Sequence, residues 1–264
     1  MTYILLILAL VWGFYSNVTT GVLVSIIAVG FLIYKAMPSI YSMKGTAQYN
    51  SGNTEGAVKY FEKAIETGRA KSHVIVQYVM ILMRDGKFKR ALRLIDKTVA
   101  ERTARDDDRM LLKQYRCLIY FKNGDKEEAM DDAMEIFSSF KNTVSYGLLG
   151  YLKLASGDIS DSVLRLCREA YEYNKDDRDI VDNLVYACYK MGKYDEAEEL
   201  LPELIEKNPK FVEGYYHGAL VKLALGKKNE AKELISKIPE CTRTALTTVS
   251  EEEVQELEEK LKGN

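Results

Sequence analysis

The side chains that could do chemistry are few and scattered. His73 and His217 are the only histidines, and they stand far apart in the chain. General acid–base work needs a titrating group within hydrogen-bond reach of its substrate, and a helical zinc site needs two histidines four residues apart. The sequence contains no HExxH, GxSxG, P-loop or GxGxxG pattern. The neighbouring carboxylates Asp131 and Asp132 would point apart on a helix. The cysteines at 117, 167, 188 and 241 form no CxxC pair, which removes the zinc and dithiol readings. Cys117 and Cys188 fall at helix positions expected to be buried, where a free thiol acts as a small apolar group. Such cysteines suit a reducing compartment. These residues predict no enzyme, no metal and no cofactor.

Charge narrows the partners. The 264 residues carry a formal net charge of −2, so no global field draws the chain to nucleic acid. The distribution is uneven. From Arg69 to Arg105 basic residues dominate, while Asp106–Asp108 and Glu251–Glu259 are acidic. The basic stretch is either a face for anionic lipid or a solvated helix surface.

Met1–Tyr34 has no charged side chain. As one helix it would be about 51 Å long, against a hydrocarbon core of ~30 Å. Two helices folded at Ser16-Asn17, each roughly 24–27 Å, use the run better, so a transmembrane helical hairpin over residues 1–36 is expected. Tyr3, Tyr15 and Tyr34 would then sit at membrane interfaces. A single span is the first alternative. A cleaved signal peptide is the second, although no basic residue precedes Lys35 and no small-x-small site follows. Gly13, Gly21, Ser25 and Gly30 could allow close helix approach. Lys35 and Lys44 put the C-terminal side of the second segment, and with two spans Met1 also, in the cytoplasm.

The rest of the chain is periodic. Gly52, Gly86, Gly124, Gly157, Gly192 and Gly226 recur at intervals of 34, 38, 33, 35 and 34 residues. Five residues after each stands a small one: Ala57, Ala91, Ala129, Ser162, Ala197 and Ala231. This is the spacing of stacked helix-turn-helix units, with glycine in the turn and the small residue at the helix crossing. The pattern resembles the tetratricopeptide repeat (TPR) family. The core YKMGKYDEAEELL in 178–211, with Leu184, Gly192, Tyr194, Ala197, Leu201 and Pro209, carries the resemblance best. Repeats are expected at 38–71, 72–105, 110–142, 143–176, 178–211 and 212–245, making a TPR array over 37–245.

There are departures from the pattern. Lys153 and Lys222 stand where tyrosine is usual, and Pro202 should cost a helix one hydrogen bond. The long interval before Gly124 adds residues near Arg105–Asp108, as a longer helix or loop. After Ser250–Glu253, a capping-box pattern, Val254, Leu257 and Leu261 share one helical face, so residues 246–264 should form a capping helix.

The resemblance implies an all-α, right-handed solenoid whose first helices line a peptide-binding groove. Carried onto this sequence, the groove positions give Tyr49, Met80, Met83, Leu118, Phe121, Tyr151, Leu154, Tyr186, Tyr189 and Leu220, with Thr46 and Leu223 completing the two rows. A stripe this apolar serves either a ligand or internal packing, and both readings stand. No recurring lysine–asparagine clamp supports a chaperone C-terminus as partner. The expected function is a membrane-tethered scaffold for protein–protein contact, with the repeats cytoplasmic. An integral subunit or assembly factor of a membrane complex is the alternative, and an enzyme the least favoured. Glu198, beside Ala197, is expected to be exposed and silent.

Overall fold

The computed structural model describes residues 2–100, 104–206 and 210–262. Met1, the side chain of Tyr3 and Pro209, all used above, lie outside the described residues, as do Glu101 and Arg102 of the stretch from Arg69 to Arg105. Among the described residues there are fourteen α-helices, one 3-10 turn and no strand. They form two compact units, Met1–Ile81 with Arg102–Arg105, and Leu82–Glu101 with Asp106–Asn264.

The first unit holds α1 (Thr2–Ser16), α2 (Val18–Asn50), α3 (Thr54–Glu66) and most of α4 (Ser72–Arg84). The chain breaks between α1 and α2 at Asn17, whose side chain accepts the Thr20 N–H at 2.8 Å and caps α2. The two helices meet closely. A Cβ on Gly21 would run into the Phe14 ring, and one on Gly13 would lie 3.2 Å from Val24. These two glycines are therefore committed to a contact within the chain.

α2 is 33 residues long and crosses the expected boundary at 36/37 without interruption. Its apolar half runs directly into the first helix of the first repeat. Pro38 lies inside it. Proline has no N–H, so the Tyr34 carbonyl one turn earlier loses its helical donor. Arg69 replaces it: its guanidinium donates to the Tyr34 carbonyl at 2.9 Å and stacks 3.5 Å from the centre of the Tyr34 ring. Further along, a Cβ on Gly45 would meet the Phe61 ring at 2.8 Å, so the glycine admits Phe61 between α2 and α3. Phe61 in turn stacks on Tyr78 of α4 at 5.8 Å.

The second unit continues through α5 (Phe88–Ala100), α6 (Asp106–Asn123), α7 (Lys126–Ser139), α8 (Thr143–Ala155) and α9 (Asp161–Tyr173). It ends with α10 (Arg178–Lys190), α11 (Tyr194–Glu206), α12 (Val212–Ala224), α13 (Lys228–Ile235), a 3-10 turn (Ile238–Glu240) and α14 (Glu251–Lys262). All six periodic glycines have positive φ, from +71° to +93°. The fifth shows the reason. Gly192 ends α10 in the left-handed region, and Lys193 N–H reaches back to the Cys188 carbonyl at 2.9 Å, a Schellman closure. The same backward bond recurs at Lys87, Asp125, Asp158 and Lys227, and at Asn53 in the first unit.

Ala57, Ala91, Ala129, Ala197 and Ala231 are fully buried at the crossings. Ser162 is not, which corrects the expectation for the fourth repeat. There the turn runs on to Ser160 before α9 begins, so Ser162 faces solvent and Val163 and Leu164 enter the core. The extra residues before Gly124 lengthen α6 to 18 residues, where most first helices have 13. Asp106–Asp108 occupy its first turn, where carboxylates oppose the positive helix end. Lys153 and Lys222 are held by acids: Lys153 by Asp158 at 3.4 Å, Lys222 by Glu198 and Glu230 at 2.5 Å each. Glu198 also takes Lys227 at 2.6 Å, so it is the centre of an ion-pair cluster and not a silent surface residue. Pro202 lies inside α11, which continues past it to Glu206.

The sixth repeat departs most. Its second helix, α13, has only eight residues, and Pro239 stands in the 3-10 turn that follows. Residues 241–250 then run without helix. Ser250 and Glu253 exchange hydrogen bonds at 3.1 and 2.7 Å to open α14. Val254, Leu257 and Leu261 of α14 are buried with Val212, Ala231 and Ile235.

Candidate peptide-binding groove

The face formed by α6, α8, α10 and α12 carries most of the expected groove residues. Local sequence positions these helices. Asn142 and Ser145 make a reciprocal cap on α8. Asp177 accepts the N–H groups of Asp179 and Ile180 at 3.0 and 3.1 Å and starts α10. With the glycine closures at their far ends, these two helices are fixed at both termini.

The structure sorts the predicted residues. Leu118, Phe121, Tyr151, Tyr186, Tyr189 and Leu220 are half-buried on this face. Phe121 meets Tyr151 edge-on at 5.9 Å, and Tyr186 stacks with Tyr189 at 6.3 Å. Burial pushes the Tyr151, Tyr186 and Tyr189 phenols up, so all three remain neutral donors. Leu154 is buried among Val163, Leu184 and Val185, and Met83 is also buried; neither is open to a ligand. Tyr49 and Met80, both half-buried, lie in the first unit together with Thr46. The stripe therefore divides between packing and surface along its length.

His217 has a role that the sequence did not disclose. Its Nδ1 lies 2.9 Å from Asp182 Oδ1, with both residues buried, and its ring stacks on Tyr186 at 3.9 Å. The pair ties α12 to α10 and holds the Tyr186 ring on the groove face. Among the described residues no group of three His, Cys, Asp or Glu could hold a metal ion.

Sequence reasoning also missed what crosses the face. Residues 241–250 leave the last repeat and return along the first helices of other repeats. The Ala245 N–H donates to the Arg84 carbonyl at 3.1 Å, at the end of α4. Lys122 Nζ of α6 donates to the Thr247 carbonyl at 2.7 Å. Thr248 donates its N–H and hydroxyl to one Glu213 carboxylate oxygen of α12, at 2.6 and 2.9 Å. A signal for this segment did exist. Four threonines in seven residues, 242 to 248, favour neither helix interior nor core.

Comparisons with known proteins agree with this geometry. Two tetratricopeptide-repeat family profiles match the chain, one over residues 153–223 and one over 38–67. A search of curated proteins gives no match. Among solved structures, a tetratricopeptide repeat protein from Parabacteroides merdae is 19% identical with a TM-score of 0.57, covering 86% of each chain. PilF of Pseudomonas aeruginosa is 14% identical with a TM-score of 0.60, over 86% of this chain and 99% of that one. The Cut9–Hcn1 hetero-tetramer of the APC/C contributes a chain 13% identical with a TM-score of 0.67, over 88% of this chain and 46% of that one. At these identities the likeness is one of fold. Repeat proteins of this kind generally mediate protein–protein interaction, and neither matching profile describes an enzyme. The profiles thus identify tetratricopeptide repeats at 38–67 and 153–223, and the structural neighbours share the all-α repeat fold over most of the chain.

Proposed function

We propose that this chain is a membrane-tethered repeat scaffold that holds a protein partner at the cytoplasmic face of a membrane. One observation carries the reading: α2 is a single helix with two environments. Its first half exposes Val22, Leu23, Ile26, Ile27, Leu32 and Ile33, and its second half packs on α3 as the first helix of a repeat. Its most apolar 18-residue window has a mean hydropathy of 1.9 and is only 11% buried. At 33 residues α2 is about 50 Å long, enough to cross ~30 Å of hydrocarbon and still supply a repeat helix. An apolar surface this continuous would be abnormal in water. α1, of 15 residues, is about 22 Å long and reaches less far. It crosses together with α2 as a hairpin, or it lies against α2 within the apolar layer. Lys35 and Lys44, after the span, set the repeats on the cytoplasmic side.

The partner contact is assigned to the half-buried aromatic face of the second unit, around Phe121, Tyr151, Tyr186 and Tyr189. Lys89, Arg93 and Lys97, at four-residue spacing on α5, are the members of the basic stretch suited to anionic lipid. Arg69 is engaged with Tyr34. A second reading, a subunit of a membrane assembly, draws on Gly30, whose open side meets no atom within 4 Å and could receive another helix. Alkaline extraction of membranes tests the tether. The full chain should stay in the pellet, and release into the supernatant at high pH would end the proposal.

A further inference from the structure

We propose that the loop Thr242–Thr248 is a plug, bound in cis to the groove of the second unit, which a partner segment of like chemistry must displace. The inference rests on the reading of this face as a partner site. Lys122 and Glu213 hold the two ends of one peptide plane: the Thr247 carbonyl accepts from Lys122, and the N–H of the same peptide bond, on Thr248, donates to Glu213. This is how a groove reads a bound peptide, through its main chain, with the Thr248 hydroxyl as a side-chain contact. The tip of the loop is a turn closed by the Thr247 N–H on the Thr244 carbonyl at 3.0 Å, and the Ala245 N–H at that tip reaches Arg84.

Up to Thr248 the loop is bound without entering the core, whereas Val249 is buried with Val254 and Leu257 and belongs to the anchored end. Ala245, Leu246 and Thr247 are only half-buried, and Thr242, Arg243 and Thr248 are exposed. Both of its ends are anchored independently. The Thr242 N–H donates to the Lys210 carbonyl at 3.0 Å, and α14 is fixed by Val254, Leu257 and Leu261. The loop can therefore leave the face while the last repeat stays capped. Its tethering gives it a high local concentration, so it competes with any ligand in trans. Burial lowers the Lys122 ammonium pKa, which marks a cation kept from water and in need of an acceptor. The partner that fits is an extended or turn-forming segment. It presents a free peptide plane followed by a threonine or serine hydroxyl, between Lys122 and Glu213.

The test uses the full chain in detergent and a capped synthetic peptide with the sequence of residues 243–250. Ala245→Pro with Thr248→Pro removes the two loop N–H groups that donate to Arg84 and Glu213, and proline suits the second position of the turn at 245. If the loop occupies the face nine-tenths of the time, freeing it should tighten peptide binding about tenfold. Lys122→Met added to the freed chain should abolish that gain with helicity unchanged. Equal binding to the freed and native chains would overturn the plug while leaving the groove in place. Binding to neither would also overturn it, and the groove is then judged by crosslinking from Phe121. Should the doubly substituted chain fail to fold, hydrogen exchange on the native chain decides. The Ala245 and Thr248 amides should exchange well before those of Leu152 and Val185, and faster still with excess peptide. Exchange only in step with the core would make the loop a fixed connection and refute the proposal. Alkaline extraction reads the tether separately, and its result does not alter this comparison.

Discussion

Arg69 is a residue whose role depends on a partner 35 positions away. It fills the donor vacancy that Pro38 opens at the Tyr34 carbonyl and covers the Tyr34 ring. Arg69→Ala should leave that carbonyl short of a donor and cost about 1–3 kcal/mol in a melt of the full chain in detergent. Arg69→Lys should recover little of the loss, because an ammonium cannot stack and donate in the same plane. An unchanged melt for Arg69→Ala would mean that water replaces the guanidinium without loss. The cysteines give a second residue-scale prediction. Burial pushes the Cys117, Cys167 and Cys188 thiols up to about 12, so at pH 8 they are protonated as well as enclosed. A thiol reagent should label the native chain at Cys241, which is only partly buried, and reach the other three on unfolding. Early labelling of Cys188 would contradict the packing around α10.

Elements in this chain are set by short-range geometry, and their substitutions should obey it. Gly192 has φ +72° and open space where a Cβ would stand, so Gly192→Ala should cost about 1–2 kcal/mol from backbone strain alone. Ala197 is fully buried, and Ala197→Phe should overpack the crossing by about 1–3 kcal/mol or more. The fair control is Glu199→Ala, exposed on the same helix and expected within roughly 0.5 kcal/mol. Glu198→Ala should fall between them, since it removes an acceptor from both Lys222 and Lys227. Equal urea midpoints for Ala197→Phe and Glu199→Ala would mean that the repeat register is misplaced. The register was legible because a positive-φ turn and a tight crossing each admit few residue types. It failed in the fourth repeat because the turn after Gly157 is longer, and a count of five from the glycine then lands on solvent-facing Ser162.

For the whole molecule the decisive question is which apolar surface serves which purpose. Leu154→Ala should cost about 2–5 kcal/mol, as a core truncation does. Tyr151→Ala and Tyr189→Ala should cost less in stability and act chiefly on partner crosslinking, where an aromatic anchor is worth about 1–2 kcal/mol or more. Losses as large as that of Leu154→Ala, with crosslinking intact in the folded chains, would make the aromatic face structural. At the N-terminus, a cysteine introduced by Asn17→Cys should react with an impermeant reagent from outside intact cells if α1 and α2 both cross. Labelling only after the membrane is opened would leave α2 without that topology.

By itself the sequence determined the helical repeats, their turns and most of their crossings, because each depends on contacts within about 34 residues that recur along the array. It determined equally that residues 1–34 carry no charged side chain. Only the tertiary structure decided which groove positions are core, that Pro38 and Arg69 complete one another, that His217 steadies Tyr186 through Asp182, and that residues 241–250 return across the face. Each of these joins residues from different repeats or beyond them. A periodic pattern specifies what every unit has in common, whereas pairing across units is settled by the packing of the folded chain.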